Sequence, residues 1–119
     1  TLLLFNTVTF CRGCALKTAD LTAIHNELGA SGILPVVTLY ENNDRAATDG
    51  RDAYRYQEAN GLAFPVTADN EAGFLNYFAE RAHPMIILID AESMTIVYKE
   101  ASWQKDEVEA LVRERAQAE

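Results

Sequence analysis

Apolar positions in this chain gather into short continuous runs, separated by stretches in which they recur at helical spacing. Thr1–Phe5 (TLLLF), Leu34–Tyr40 (LPVVTLY) and Met85–Asp90 (MIILID) are mostly apolar runs of strand length. Such runs mark strands covered on both faces. Cys14–Gly29 predicts a helix, with Leu21, Ile24 and Leu28 in one stripe and Gly29 and Gly32 as stop signals. Glu41–Asp49 reads as a polar loop, and Gly50–Asn60 as a helix closed by Gly61. Phe64–Thr67 contains Pro65, which cannot donate to a ladder, so it reads as a short edge strand. Asn70–Arg81 (NEAGFLNYFAER) predicts a second short helix, with Phe74, Leu75 and Phe78 on its apolar side. The run Met85–Asp90 is expected at the centre of a sheet. A turn at Ala91–Ser93 leads to its hairpin partner, Met94–Glu100. Ser102 is placed to cap a last helix that reaches about Ala118, with Val108, Leu111 and Val112 as its buried stripe.

The predicted order is β-α-β-α-β-α-β-β-α. Alternation of strand and helix argues for a parallel core, and the closing hairpin adds antiparallel strands. The expected fold class is therefore α/β, a central mixed sheet of about five strands with helices on both faces. The 119 residues suit one compact domain, residues 1–119, with no repeat or linker. The formal net charge of −8 argues against nucleic acid or an anionic membrane as partner. No apolar run approaches the roughly 20 residues that span a bilayer. The chain opens at Thr1 rather than Met, as expected of a processed or excised domain, so any membrane association would come from a segment outside it.

Two cysteines are too few for a disulfide-stapled scaffold or a four-thiolate zinc site. Their spacing, Cys11-Arg12-Gly13-Cys14, follows an apolar strand and opens a helix. Thiol–disulfide exchange needs one exposed thiolate to attack and a second thiol to resolve the mixed disulfide. A cysteine at a helix N-terminus meets free N–H groups and the positive end of the dipole, both of which favour the thiolate. Cys11 is the expected nucleophile and Cys14 the resolving thiol. Arg12 adds a positive charge, and Gly13 leaves room for a substrate backbone. The bland alternative is a structural disulfide, or two ordinary cysteines.

The chain resembles the thioredoxin superfamily, and within it the TlpA-like or redoxin-type thiol oxidoreductases of bacteria. The resemblance rests on the strand–CRGC–helix opening, on AHPMIILID at Ala82–Asp90, and on the helix–strand–helix passage before it, with NGLAFPVTAD at Asn60–Asp69. It implies a thioredoxin fold with the helix–strand insertion that plain thioredoxin lacks. It implies that Pro84 is the cis-proline facing the C-x-x-C and that the residue before it offers its backbone to substrate. It implies protein thiol or disulfide substrates, a redox partner protein, no cofactor, a monomer, and an extracytoplasmic location, a cytoplasmic one being open too. The chain departs from the family pattern in several places. Phe10 replaces a frequent Trp, Arg12-Gly13 replaces a frequent Pro, and Phe5, with Asn6 beside it, stands where thioredoxin has a buried Asp. The β-hairpin that usually precedes the first strand is not evident.

By the same resemblance, His83 lies near Cys11. Protonated, it would stabilise the thiolate. Neutral, it could join Cys11 and Cys14 in a copper site of the Sco-like kind, although those relatives space their cysteines C-x-x-x-C. It is equally readable as a loop histidine, and no metal is expected. His25, within the first helix, reads as a surface residue. A peroxidase is disfavoured, because Val8 stands where peroxiredoxins place Thr. A thioredoxin-fold binding module with a spectator disulfide is the non-enzymatic rival. The carboxylates of Glu41, Asp44, Asp49 and Asp52 read as a solvated face. Asp90 reads as a partner of the turn after it, and Tyr54, Tyr56, Phe74, Tyr77 and Phe78 read as packing.

Overall fold

The computed structural model describes residues 1–118; Glu119, the last residue of the expected domain, lies outside them. Five strands, β1 (Leu2–Thr7), β2 (Leu34–Leu39), β3 (Val66–Ala68), β4 (Met85–Asp90) and β5 (Thr95–Glu100), form one mixed sheet in the order β3-β2-β1-β4-β5. Strand β1 runs parallel to β2 and antiparallel to β4; β2 pairs parallel with β3, and β4 antiparallel with β5. The apolar runs thus occupy the three inner strands, where both faces need cover. Pro65 sits just before edge strand β3 and uses only its carbonyl, which accepts from the Val37 amide at 3.0 Å.

Alternate residues Leu3, Phe5, Val37, Leu39, Ile86 and Leu88 share one face. They form a single core with Leu21 and Ile24 of α1 (Arg12–Leu28), Tyr56 of α2 (Gly50–Asn60), and Val108 and Val112 of α3 (Lys105–Ala118). Successive right-handed crossovers β1-α1-β2 and β2-α2-β3 step the same way across the sheet, which sets both helices on that face. Helix α3 is tied to α1 at two levels. Arg113 holds Glu27 through two hydrogen bonds of 2.6 and 2.8 Å, and Trp103 Nε1 donates to Asp20 at 2.9 Å while Lys105 lies 3.6 Å from the same carboxylate. The Arg113 hydrogen bonds hold the Glu27 carboxyl below its ordinary range.

On the second face the expected helix over Asn70–Arg81 contracts to one 3-10 helix, Gly73–Tyr77. The cause is local. The Asp69 carboxylate accepts from the amides of Gly73 (2.9 Å) and Phe74 (3.2 Å), and Ala72 adopts a left-handed φ of 52°. These bonds offer the backbone an alternative to a longer helix. Leu75 and Phe78 keep their expected apolar role, packing with Tyr40 and Met85. Two smaller corrections follow. Ser102 does not cap α3, which begins at Lys105; its hydroxyl accepts from Gln104 Nε2 at 2.7 Å. The anchored Trp103, edge-on to Phe5 at 5.7 Å, delays the helix start. His25 is half-buried rather than a surface residue, its ring 5.7 Å from that of Phe64.

The β4–β5 turn is held by Asp90, whose carboxylate accepts from the amides of Glu92 (3.0 Å) and Ser93 (3.2 Å) and from Arg115 Nη2 (2.7 Å). Above all the Arg115 bond, then the turn amides, hold this carboxyl below its usual value. A depressed folded value means that the stabilisation is present above the unfolded pKa and is lost as pH falls through the folded one. The stability advantage of the wild type over Asp90→Asn is therefore expected to be full above the ordinary aspartate range and to shrink as pH falls below it, as urea midpoints measured from neutral to acid pH will report. Met94 closes the turn at φ 56° while 70% exposed. Met94→Gly is expected to stabilise the fold by about 0.5–1 kcal/mol, the left-handed penalty less the extra unfolded entropy of glycine, read from the urea midpoint at neutral pH.

Candidate active site

Strand β1 ends at Thr7, and Val8–Phe10 carry the chain over to α1. Cys11 is the N-cap of that helix, with extended φ and ψ, and its Sγ accepts from the Cys14 amide at 3.1 Å. The sulfur takes the part that a serine or aspartate oxygen usually plays. The helix consequently starts at Arg12, two residues before the expected Cys14. The sulfurs of Cys11 and Cys14 are bonded to each other, with Cα atoms 5.2 Å apart. Cys11 is partly exposed and Cys14 is 1% exposed. No acidic residue occupies the first turn of this 17-residue helix, so nothing there offsets its dipole. Arg12 and Gly13 are exposed, and a Cβ placed on Gly13 would meet no atom within 4 Å.

The antiparallel pairing of β1 and β4 brings the second half of the site to the first. Asn6 pairs with Met85, so the start of β4 lies beside the end of β1. The His83–Pro84 peptide bond is cis, and Pro84 is buried. Cys11 packs in a small apolar cluster with Ala82, Met85, Val8 and Tyr40. His83 is exposed, and its ring meets Phe10 edge-on at 6.3 Å. Cys11, Cys14, Arg12 and Gly13 thus stand on one side and His83 and Pro84 on the other, joined through Phe10. No group of three or more His, Cys, Asp and Glu among the described residues is arranged to hold a metal ion.

Where thioredoxin has its buried Asp, Phe5 packs in the core that contains Cys14. Asn6 points to the opposite face, where its Nδ2 donates to Thr38 Oγ1 at 2.6 Å. Tyr40 is a buried ionisable group in the cluster that Cys11 packs against. Burial pushes its phenol above the ordinary value, outweighing the pull of Arg81.

Sequence reasoning placed a polar loop over Glu41–Asp49 but missed how residues 41–46 attach to the site. Thr9 is stapled to it twice, its amide donating to the Glu41 carbonyl (3.0 Å) and its hydroxyl to Asn43 Oδ1 (2.6 Å). Asn42 Oδ1 accepts from the amides of Asp44 and Ala46, folding the loop back on itself. Arg45 then takes a left-handed φ of 61° and lays its guanidinium 3.7 Å above the Phe10 ring. Glu41 pairs with Arg45 (4.0 Å) and with Arg81 (3.3 Å). The side-chain turn encoded in Glu41-Asn42-Asn43-Asp44 was the available signal. Asp49 and Asp52 proved to be the capping box of α2.

No protein-family model matches the chain, and no curated protein matches it in sequence. Solved structures do match in shape. A thiol:disulfide interchange protein from a Bacteroides species aligns over 94% of this chain and 72% of its own, with TM-score 0.69 and 23% identity. A secreted disulfide oxidoreductase from Mycobacterium tuberculosis, homologous to E. coli DsbE, covers 95% of this chain and 80% of its own, with TM-score 0.67 and 13% identity. An exposed lipoprotein thioredoxin from Streptococcus pneumoniae covers 95% and 83%, with TM-score 0.65 and 21% identity. The chain has the thioredoxin-like fold.

Arg45→Ala removes the cation from the Phe10 ring but keeps a Cβ, so the left-handed penalty cancels in the comparison. A loss of about 0.5–1 kcal/mol is expected, measured by urea unfolding of the oxidised protein, with faster amide hydrogen exchange at Asp44 and Ala46.

Proposed function

We propose that this chain is a thiol–disulfide oxidoreductase domain that exchanges the Cys11–Cys14 dithiol and disulfide with protein substrates. One observation carries the reading: the more exposed sulfur of a bonded pair caps a helix and accepts a backbone N–H, beside a cis-proline loop. In the reduced protein that N–H and the helix dipole stabilise a Cys11 thiolate over its thiol. The thiolate attacks one sulfur of a substrate disulfide, and the other substrate sulfur leaves with the electron pair. Cys14, held within bonding range by the helix turn, then attacks Cys11. The second substrate sulfur leaves, and two electrons have passed to substrate. The reverse sequence oxidises a substrate dithiol.

Gly13 leaves open space above the motif, and the backbone before Pro84 offers hydrogen bonds to an extended substrate segment in the manner of an added strand. Arg12 and His83 add cationic or proton-bearing groups at the rim. Phe5 supplies no carboxylate beneath Cys14, so the proton of Cys14 passes by water. The likeness to a secreted oxidoreductase and to an exposed lipoprotein supports an extracytoplasmic setting. No helix among the described residues is long and apolar enough to cross a membrane.

Partial alkylation of the reduced protein with iodoacetamide, read by mass spectrometry, is expected to label Cys11 well before Cys14. Cys11→Ser is expected to abolish insulin reduction, and Cys14→Ser to accumulate a mixed disulfide. Faster labelling of Cys14, or turnover surviving in Cys11→Ser, overturns the assignment. A reduction potential below about −300 mV would mark the bond as structural instead.

A further inference from the structure

A groove of about 430 Å³ opens beside the motif, between the loop 41–46 and α2. Thr9 and Ala15, which bracket the C-x-x-C in the chain, form its wall on the disulfide side. Tyr56 and Asn60 of α2 form the facing wall, and Asp44 and Arg55 belong to its lining. The volume falls in the range of about 300–1,000 Å³ that holds small ligands.

The groups left uncommitted in this groove define what it would take. The Asp44 carboxylate makes no hydrogen bond or ion pair among the described residues; only its backbone amide is used, toward Asn42 Oδ1. Arg55 is likewise unpaired at contact distance and is felt only as a longer-range charge by Asp49. Asn43 has Oδ1 occupied by Thr9 and its Nδ2 unused, while Asn60 donates Nδ2 to the Tyr56 carbonyl and keeps Oδ1. Asp52, by contrast, is engaged by the Asp49 amide and by Asn42. Tyr56 is 6% exposed, and its hydroxyl is buried without a partner. One free carboxylate, one free guanidinium and amide groups of both polarities thus line one hollow next to a redox pair. That set complements a ligand bearing an ammonium and a carboxylate together.

We infer that the groove binds low-molecular-weight thiols of the amino-acid class and their disulfides, with the carboxylate on Arg55, the ammonium on Asp44 and the sulfur toward Cys11. The inference rests on the exchange reading above and names a redox partner for the same pair. The bound thiolate attacks Cys11 Sγ. The bond to Cys14 breaks, and Cys14 Sγ takes the electron pair and then a proton. A second thiolate attacks the ligand sulfur of the mixed disulfide, and Cys11 leaves as thiolate. Two thiols become one small disulfide; two electrons and one proton reach the protein, and the other proton passes to solvent because Cys11 stays a thiolate.

The test follows reduction of the oxidised protein by cysteine and by 2-mercaptoethanol, using acid quench, alkylation and mass spectrometry. The rate is expected to saturate with cysteine and to rise linearly with 2-mercaptoethanol over the same range. In Arg55→Gln the ratio of the cysteine to the 2-mercaptoethanol rate constant is expected to fall about tenfold, the loss of one charge-assisted hydrogen bond. Asp44→Asn should lower the same ratio, and Arg55→Lys should restore part of it. Glu92→Gln, on the far turn, serves as the control with both rates as in wild type. A linear response to cysteine, or an unaltered ratio in Arg55→Gln while insulin is still reduced, overturns the groove alone. If neither thiol nor any protein dithiol reduces the bond, the exchange reading falls with it.

Discussion

The structure depends on the burial of β1. Leu3, Leu4 and Phe5 are all but hidden from solvent, which is possible only if a strand lies on each side of β1 and packed layers lie above and below. A central strand has a fixed exit point, and here the exit leads within four residues to Cys11. The antiparallel neighbour β4 must begin where β1 ends, so Pro84 arrives beside that exit for the same reason. The two halves of the site meet because the hydrophobic effect leaves their strands no other arrangement. The chemistry is assembled from strand ends, while the sheet supplies only their position.

Much of this was legible in the amino-acid pattern. Runs such as LPVVTLY and MIILID identify inner strands, because only a strand shielded on both faces tolerates an apolar side chain at nearly every position. The helix Gly50–Asn60 was readable to the residue, with Gly61 as its stop signal, although the capping role of Asp49 went unread. The C-x-x-C after a strand fixed the candidate chemistry. What escaped were arrangements in which a side chain replaces backbone. The Asp69 carboxylate captures two amides that a helix over Asn70–Arg81 would have needed, and no apolar periodicity registers that competition. Cysteine is not a usual cap, so the helix start at Arg12 was set too late.

The loop 41–46 was the largest gap in reading the site. Its carboxylates suggest solvent, yet Asn42 folds the loop and Thr9 fastens it to the approach of the motif. The Thr9 contacts span more than thirty residues and leave no mark in local spacing. The same loop also explains how a protein of net charge −8 keeps guanidinium groups near its paired sulfurs. Arg45 and Arg81 share Glu41, and aromatic faces of Phe10 and Tyr40 lie beneath them.

For the exchange proposed above, the double tie between α1 and α3 matters. With Glu27 clasped by Arg113 at one end and Asp20 held by Trp103 and Lys105 near the middle, the helix carrying the sulfurs is braced over its C-terminal half. Opening the Cys11–Cys14 bond then alters a few atoms at the mouth of a rigid frame. Oxidised and reduced forms would present nearly the same outline to a partner. Selection between them would fall to the sulfurs themselves, with little reorganisation to slow transfer in either direction.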